Sequence, residues 1–307
     1  MLLLQFNCNK LNYMKNTQKK IVFISGSNGM IGKRVFSILK NNKKLMIINL
    51  SLRLEQNHSE IDKYFSNNLK FLNNEVFLIH FAYDWNDQNI PAKNVNYVGS
   101  INLFNSFNNH FPNASIMNIS TTVAKEQNQS SYSQVKTKLE KWIEEKEYYN
   151  LICGIFIDSP SFGQMRILEK ISKLPFIFFP CKNNYVYLSS VSILAFNIKK
   201  IIMEQDKFKG SYVLCCCQPM KIYSLIKKIG MLYNQNAPKV FNFPYKPALI
   251  LCQIIDWLTK STRFEEKILG LNNSALLLKR KNNDKNYKIH LDLIEKEFLK
   301  YENILQN

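Results

Sequence analysis

A chain of 307 residues that is 46% hydrophobic and 13% aromatic, with nine glycines and nine prolines, has apolar content for one large core, which excludes a mainly disordered protein. The net charge of +18 is scattered along the sequence rather than gathered into a basic stripe, as compositional drift in a Lys-, Asn- and Ile-rich chain would leave it, and it argues against a nucleic-acid partner. Seven cysteines without framework or CxxC spacing, and four histidines without ligand spacing, exclude a disulfide scaffold, give no metal site and point to reduced thiols in the cytoplasm.

Residues 1–18 open with MLLLQF, an apolar run too short for a signal-peptide core, and are expected to be a disordered lead-in. Ile21–Ser25 then reads as a buried strand, and Ile31, Val35, Ile38 and Leu39 recur at helical spacing. Strands follow at Leu45–Leu50, Val76–Phe81, Ala114–Ser120 and Leu151–Ile157. Helices are expected at Asn94–Phe107 and from Ser131 to about Tyr148, the latter with Val135, Leu139, Trp142 and Ile143 on one face. A further strand is expected between Ser51 and Asn74, in a polar and poorly patterned stretch. This alternation predicts a doubly wound parallel sheet, Rossmann-like, over residues 19–160.

The second half carries helical patterns at Met165–Leu174, Val191–Met203, Ile222–Leu232, Pro247–Leu258 and Leu291–Leu305, with strands at Tyr185–Leu188 and Tyr212–Cys217. Without a Gly/Ser-rich linker, residues 161–307 are expected to form a smaller, mostly helical substrate lobe that shares the main core. Pro247–Leu258 is the longest apolar stretch, interrupted by Gln253 and Asp256. It is too short to cross a bilayer, so it reads as a core helix and no transmembrane segment is expected.

Between the first strand and first helix lies Gly26-Ser27-Asn28-Gly29-Met30-Ile31-Gly32, a GxxGxxG turn. Glycines there allow a diphosphate to approach the backbone closely, and the following helix offers its N-terminal N–H groups to the phosphates. Asn28, Met30 and Ile31 belong to the same expected dinucleotide-binding turn. At the end of the second strand, Ser51 and Arg53 stand where an acid would favour NAD, and so lean toward NADP.

Tyr132 and Lys136 form a YxxxK pair on adjacent turns of one helical face, where an ammonium can favour the phenolate and make tyrosine an acid/base. Ser120, twelve residues earlier at the end of a strand, supplies a hydroxyl that can polarise a carbonyl.

These motifs, in this order, resemble the short-chain dehydrogenase/reductase superfamily, and most closely its extended branch of NAD-dependent epimerases and dehydratases. The resemblance runs from about Ile21 to Tyr223. It takes in Gly26/Gly29/Gly32, Leu78-Ile79-His80-Phe81-Ala82 (like VIHLA) and Asn94 to Leu103 (like NVxGTxNLL). It continues through Ile119–Val123, the Tyr132/Lys136 pair, Ser159-Pro160-Ser161-Phe162-Gly163 (like PxNVYG) and Tyr185–Val191 (like FIHVDDV). It implies Tyr132 as acid/base, Lys136 as its modulator and Ser120 as the polarising hydroxyl. It also implies that the glycines, Phe81, Ala82 and Pro160 line the cofactor and that Asn96 supports the site.

Departures qualify the substrate. The stretch from Ser120 to Tyr132 is short and lacks the YG element, and Ile157 and Ser190 stand where the family carries arginine and aspartate. Thr121-Thr122 replaces the Asp-Glu pair of the 4,6-dehydratases, so that chemistry is not expected. The implied activity is NAD(P)-dependent hydride transfer at a hydroxyl/keto carbon of a small polar substrate such as a nucleotide-activated sugar, ending in reduction or epimerisation. The alternative is a non-catalytic NAD(P)-binding protein of the same fold, acting as a redox sensor, assembly subunit or RNA-binding scaffold. A homodimer is compatible with either.

Overall fold

Ile21 to Ile24 are all buried in strand β1 (Lys20–Ser25), because an interior strand of a parallel sheet has both faces covered. The computed structural model describes residues 19–50, 58–66, 74–85, 87, 89, 91–124, 130–158, 163–180, 184–204, 209–215, 219–234 and 237–259. Helix α1 (Met30–Leu39) leads to β2 (Leu45–Leu50), which pairs parallel with β1 from Lys20↔Leu45 to Ser25↔Leu50. Helix α2 (His58–Ser66) precedes β3 (Val76–His80), which pairs with the other edge of β1. Helix α3 (Val95–His110) starts where the Asn94 side chain accepts from Asn96 N, a good N-cap. Strand β4 (Ser115–Thr121), helix α4 (Ser131–Glu145) and β5 (Tyr149–Cys153) complete the first half.

Beyond β5 the chain forms β6 (Ile155–Phe156), α5 (Gly163–Ser172), β7 (Phe176–Phe179), β8 (Tyr185–Val186), β9 (Leu188–Ser189) and α6 (Val191–Glu204). It then returns to the main sheet as β10 (Gly210–Leu214), parallel to β5. The last elements are β11 (Met220–Lys221), α7 (Ile222–Asn234), β12 (Lys239–Asn242) and α8 (Tyr245–Thr259). The sheet order is β2-β1-β3-β4-β5-β10, all parallel. The order reverses between β1 and β3, which opens a crevice at their carboxyl ends where α/β sheets bind ligands.

Both faces of the sheet are packed. On one, Phe23 meets Phe65, Phe107 and Phe111 at ring separations of 5.6–5.9 Å under α2, α3 and α4. On the other, Val22, Ile24 and Leu151 pack against Val35 of α1 and Ile198 and Ile202 of α6. A third cluster (Leu168, Val186, Ile222, Ile226, Ile229) forms the smaller lobe.

Several expectations need correction. Where a strand was expected between Ser51 and Asn74, the described residues form helix α2, whose Ile61 and Phe65 are buried at helical spacing. Tyr185–Leu188 is not one strand but two, β8 and β9. Val186 pairs with Met220, whereas the Tyr187 carbonyl turns to accept from Ile155 N at 2.7 Å beside Gly154, where a Cβ would strike that oxygen. Helix α8 buries Ala248 and Cys252 but exposes Ile250, Leu251, Ile254 and Leu258, so it is not an enclosed core helix. The expected helix Leu291–Leu305, the 1–18 lead-in, the 160/161 division, Cys216 and Cys217 lie outside the described residues. Among the described residues no helix is long and apolar enough to cross a membrane.

Candidate active site

The glycine turn sits at the switch point. Gly26 adopts φ +71°, and a Cβ there would lie 2.5 Å from Ala82 N, so only glycine lets the turn lie against the strand end. A Cβ on Gly32 would strike the Gly26 carbonyl, which also accepts from Gly29 N at 3.0 Å. Gly29 caps α1 without a side chain, and no acid occupies the first turn, so the helix's positive end is left for an anion. Asn28, Gly29 and Met30 are exposed, Ile31 is half-buried and Gly32 is buried. This cradle fits a dinucleotide diphosphate. Ser27 Oγ donates to Asn49 Oδ1 near the end of β2, tying the turn to that strand. Ser51, Arg53 and Pro160 lie outside the described residues.

A buried polar chain joins this turn to the next loop. Ser100 Oγ gives its only hydrogen to Asn96 O, so His80 Nε2–H must donate to Ser100 Oγ at 2.8 Å. His80 Nδ1 then accepts from Ser25 Oγ at 2.7 Å. Burial, helped by the nearby Lys136 cation, pushes the His80 pKa down to about 3 and keeps the ring neutral. The Asn96 side chain clamps the backbone of Asp84 from both sides, accepting from its N–H and donating to its carbonyl at 2.8 Å. Asn96 thus supports a loop that carries Tyr83 and Trp85.

Those two aromatics cover Tyr132. Trp85 stacks on the Tyr132 ring at 4.8 Å and 25°, and Tyr83 meets it edge-on at 4.9 Å. Helix α4, capped by Ser130 accepting from Ser133 N, carries Tyr132, Lys136 and Glu140 on one face. Lys136 is 5% exposed; its Nζ donates to Ile119 O at 2.8 Å and lies 5.5 Å over the Tyr83 ring. Burial pushes the Lys136 pKa down to about 8, against the opposing pull of Glu140 and Cys153.

The hydroxyls divide in a way the sequence did not suggest. Ser120 Oγ donates to Glu140 Oε1 at 2.5 Å, and residue 140 sits about 12 Å along the helix axis from residue 132. The hydrogen-bond partner of the Tyr132 phenol is Thr121, whose Oγ1 also accepts from Val123 N at 3.4 Å. A further difference concerns the phenol itself. Lys136 was expected to bring it toward working pH, but burial holds Tyr132 well above the ordinary tyrosine value, outweighing the Thr121 hydrogen bond.

The structure therefore brings together Tyr132, Lys136, Asn96, Phe81, Ala82 and the glycine turn around the carboxyl ends of β1, β3 and β4, and turns Ser120 toward Glu140. Thr121, Glu140, Tyr83, Trp85 and the His80 chain were not assigned from sequence. Glu140 was within reach of that reading, since it lies four residues beyond Lys136 on the same face. The two positions that depart from the family pattern also have structural roles: Ile157 N donates to Ser189 O at 3.0 Å, and Ser190 donates to the buried Asp158, which caps α6 through Val191 N.

No protein-family model matches the chain, and no curated protein matches it. Solved structures do. A nucleoside-diphosphate-sugar epimerase from Staphylococcus aureus aligns with TM-score 0.63 at 11% identity, covering 89% of this chain and 95% of that one. The dTDP-4-dehydrorhamnose reductase of Bacillus anthracis, in complex with NADP, aligns with TM-score 0.60 at 18% identity over 75% and 86%. The UDP-glucose 4-epimerase of Thermus thermophilus, in complex with NAD, aligns with TM-score 0.57 at 14% identity over 73% and 86%. A six-stranded parallel sheet with a glycine turn at its switch point, aligned with these proteins over most of the chain, has the fold of the NAD-dependent epimerase/dehydratase group, the extended branch of the short-chain dehydrogenases/reductases.

Proposed function

We propose that the protein is an NAD(P)-dependent oxidoreductase or epimerase acting on a hydroxyl/keto carbon of a nucleotide-activated sugar, with Tyr132 as its acid/base. The observation that carries this reading is the juxtaposition of a phenol, hydrogen-bonded to Thr121, and the buried Lys136 ammonium beside the glycine-lined crevice. The solved structures of this fold named above include two sugar epimerases and a dTDP-sugar reductase, which supports the substrate class.

When bound, the nicotinamide supplies the hydride acceptor or donor. Gly26, Gly29, Gly32 and the first turn of α1 hold the diphosphate, and Phe81 and Ala82 form the wall beside it. Ser51 and Arg53 favour the 2′-phosphate of NADP over NAD. In the reducing direction Tyr132, kept protonated by burial, gives its proton to the developing alkoxide. Thr121 then donates to the phenolate oxygen, and Lys136, one turn further along α4 and charged below about pH 8, serves as the nearby cation. Oxidation of the carbinol runs the same proton path backwards. Tyr83 and Trp85 shield the phenol from water, which strengthens each of these interactions.

The test is to titrate purified protein with NAD and NADP separately, then assay UDP- and dTDP-sugars for nicotinamide absorbance change and for sugar interconversion. Tyr132→Phe should cut turnover at least about a thousandfold while leaving the cofactor Kd within about twofold. Full turnover by that variant would refute Tyr132 as the acid/base, and failure to bind either dinucleotide would refute the whole reading.

A further inference from the structure

Strands β7 and β12 form a two-stranded parallel ladder in the smaller lobe, with Lys239 opposite Phe176 and Phe241 opposite Phe178. Successive side chains point opposite ways, so Ile177 and Val240 enter the lobe's core while Phe176, Phe178 and Phe241 stand outside it. Phe178 is 68% exposed and its ring stacks on Phe241 at 5.4 Å, with Phe176 on the other side of Phe241 at 6.5 Å, so the three rings make one apolar plate. Lys239 holds its ammonium 5.9 Å from the Phe176 ring. Two residues beyond β12 the chain enters α8. There Pro247, Ile250, Leu251, Ile254 and Leu258 are all exposed and recur at helical spacing, which gathers them into one stripe, while Ala248 and Cys252 are buried on another side. Exposed aromatic and aliphatic surface on adjoining elements is the mark of a docking face.

We propose that the β7–β12 ladder and α8 dock the protein on an anionic phospholipid surface, the exposed rings and the α8 stripe entering the headgroup boundary and the neighbouring lysines meeting the phosphates. Charge selects this partner. Residues 171–186 and 219–255, which contain β7, β8, β11, α7, β12 and most of α8, carry seven lysines and no Asp, Glu or Arg. Lys173, Lys239 and Lys246 are exposed within two residues of exposed apolar side chains of the ladder or α8. An anionic bilayer presents the matching order of chemistries, phosphates outermost and hydrocarbon just beneath, and lysine stems are long enough to serve both. A nucleic acid could stack bases on the phenylalanines but has nothing to offer the aliphatic stripe of α8. A second copy would bring its own seven lysines against these. Among the described residues no helix is long and apolar enough to cross a membrane, so α8, fifteen residues and about 22 Å long, lies along the surface rather than through it. The proposal needs neither the cofactor nor the sugar reading of the active site.

The experiment is co-sedimentation of the full chain with vesicles of phosphatidylcholine alone or with about a third phosphatidylglycerol, at low and high salt. Wild type should partition to the anionic vesicles at least about tenfold more strongly than to the neutral ones, and salt should weaken the association. The double variants Phe178→Ser with Phe241→Ser, and Ile250→Ser with Ile254→Ser, should each lower that partition at least about tenfold. Their melting temperatures should stay at the wild-type value, because these side chains are exposed. In wild type, amide hydrogen exchange over β12 and α8 should slow on anionic vesicles while exchange over β1 and α1 does not, a readout that holds even where a variant fails to fold. Wild type that ignores both kinds of vesicle overturns the proposal, as does equal partition to both. Full partition by either folded double variant, or sedimentation that leaves exchange over β12 and α8 unchanged, overturns it as well. A dimer that the apolar substitutions split, in a protein that binds no vesicle, overturns it in favour of a face between copies of this chain.

Discussion

Ser25 Oγ donates to Nδ1 of His80 at 2.7 Å, joining the strand that feeds the glycine turn to the strand whose loop covers Tyr132. Because Ser100 takes the Nε2 hydrogen, the ring is fixed as one neutral tautomer, and protonating it would place a second hydrogen against Ser25 in a fully buried site.

Stability should accordingly depend on His80. Its folded pKa, about 3, lies below the ordinary 6.5, so between these values the unfolded chain binds the extra proton. The contribution is present above pH 6.5 and is lost as pH falls toward 3, at up to about 1.4 kcal/mol per pH unit. Urea unfolding of wild type and His80→Asn across this range should show their stability difference shrinking as pH drops; a difference that stays constant would contradict the neutral ring.

The Gly26 turn gives a second expectation. Gly26→Ala adds a Cβ 2.5 Å from backbone at Ala82 and forces an L-residue to φ +71°. Left-handed backbone alone costs about 1–2 kcal/mol, and the contact is with main chain that cannot swing aside. Both the melting temperature and NAD(P) affinity should fall, the latter by at least about tenfold, read by thermal melts and dinucleotide titration.

Glu140 sets the charge around Lys136. The groups facing that ammonium are Glu140 on its own helix, Cys153 from β5, His80 from β3 and the Tyr83 ring from the following loop. Of these, Glu140 is the leading influence holding the Lys136 pKa up against burial. In Glu140→Gln that pKa should drop below about 8. If turnover needs the ammonium, the alkaline limb of the kcat profile should move to lower pH, while Ser120 keeps an acceptor in the glutamine carbonyl. An unmoved limb would mean that Lys136 does not govern it.

The aromatic cluster under α3 should dominate folding energetics. Phe107 is fully buried and touches Phe23, Phe65 and Phe111. Phe107→Ala should destabilise the chain by about 3–5 kcal/mol, measured by chemical denaturation, with little repacking because the neighbours are rings fixed by one another.

The sheet is legible because β1 and β3 carry continuous apolar runs, the other strands stay mainly apolar, and its first helices keep a 3.6-residue period; Ile21–Ile24 and Val135/Leu139/Ile143 need no tertiary information. The short ladders of the smaller lobe are not legible. β8 and β9 are two residues each, and only the crowding of Tyr187 O against Gly154 tells where one ends. Residues 58–66 resist reading because α2 hides two apolar side chains, Ile61 and Phe65, in an otherwise polar stretch. In the candidate site, the YxxxK spacing puts Tyr132 and Lys136 on one helical face. Which hydroxyl meets the phenol is a matter of side-chain direction at a strand end, where Ser120 and Thr121 point to opposite sides of the sheet.

Strand β10 is laid down some sixty residues after β5, yet it covers β5's free edge, and Ser211 completes an amide relay from Asn118 through Asn150. A polypeptide severed after the first half would keep its dinucleotide cradle but present a bare, apolar, hydrogen-bond-hungry border to every other copy in solution. The first and second halves of the chain are therefore joined through one sheet, whose outer strand on the β5 side comes from the later segment.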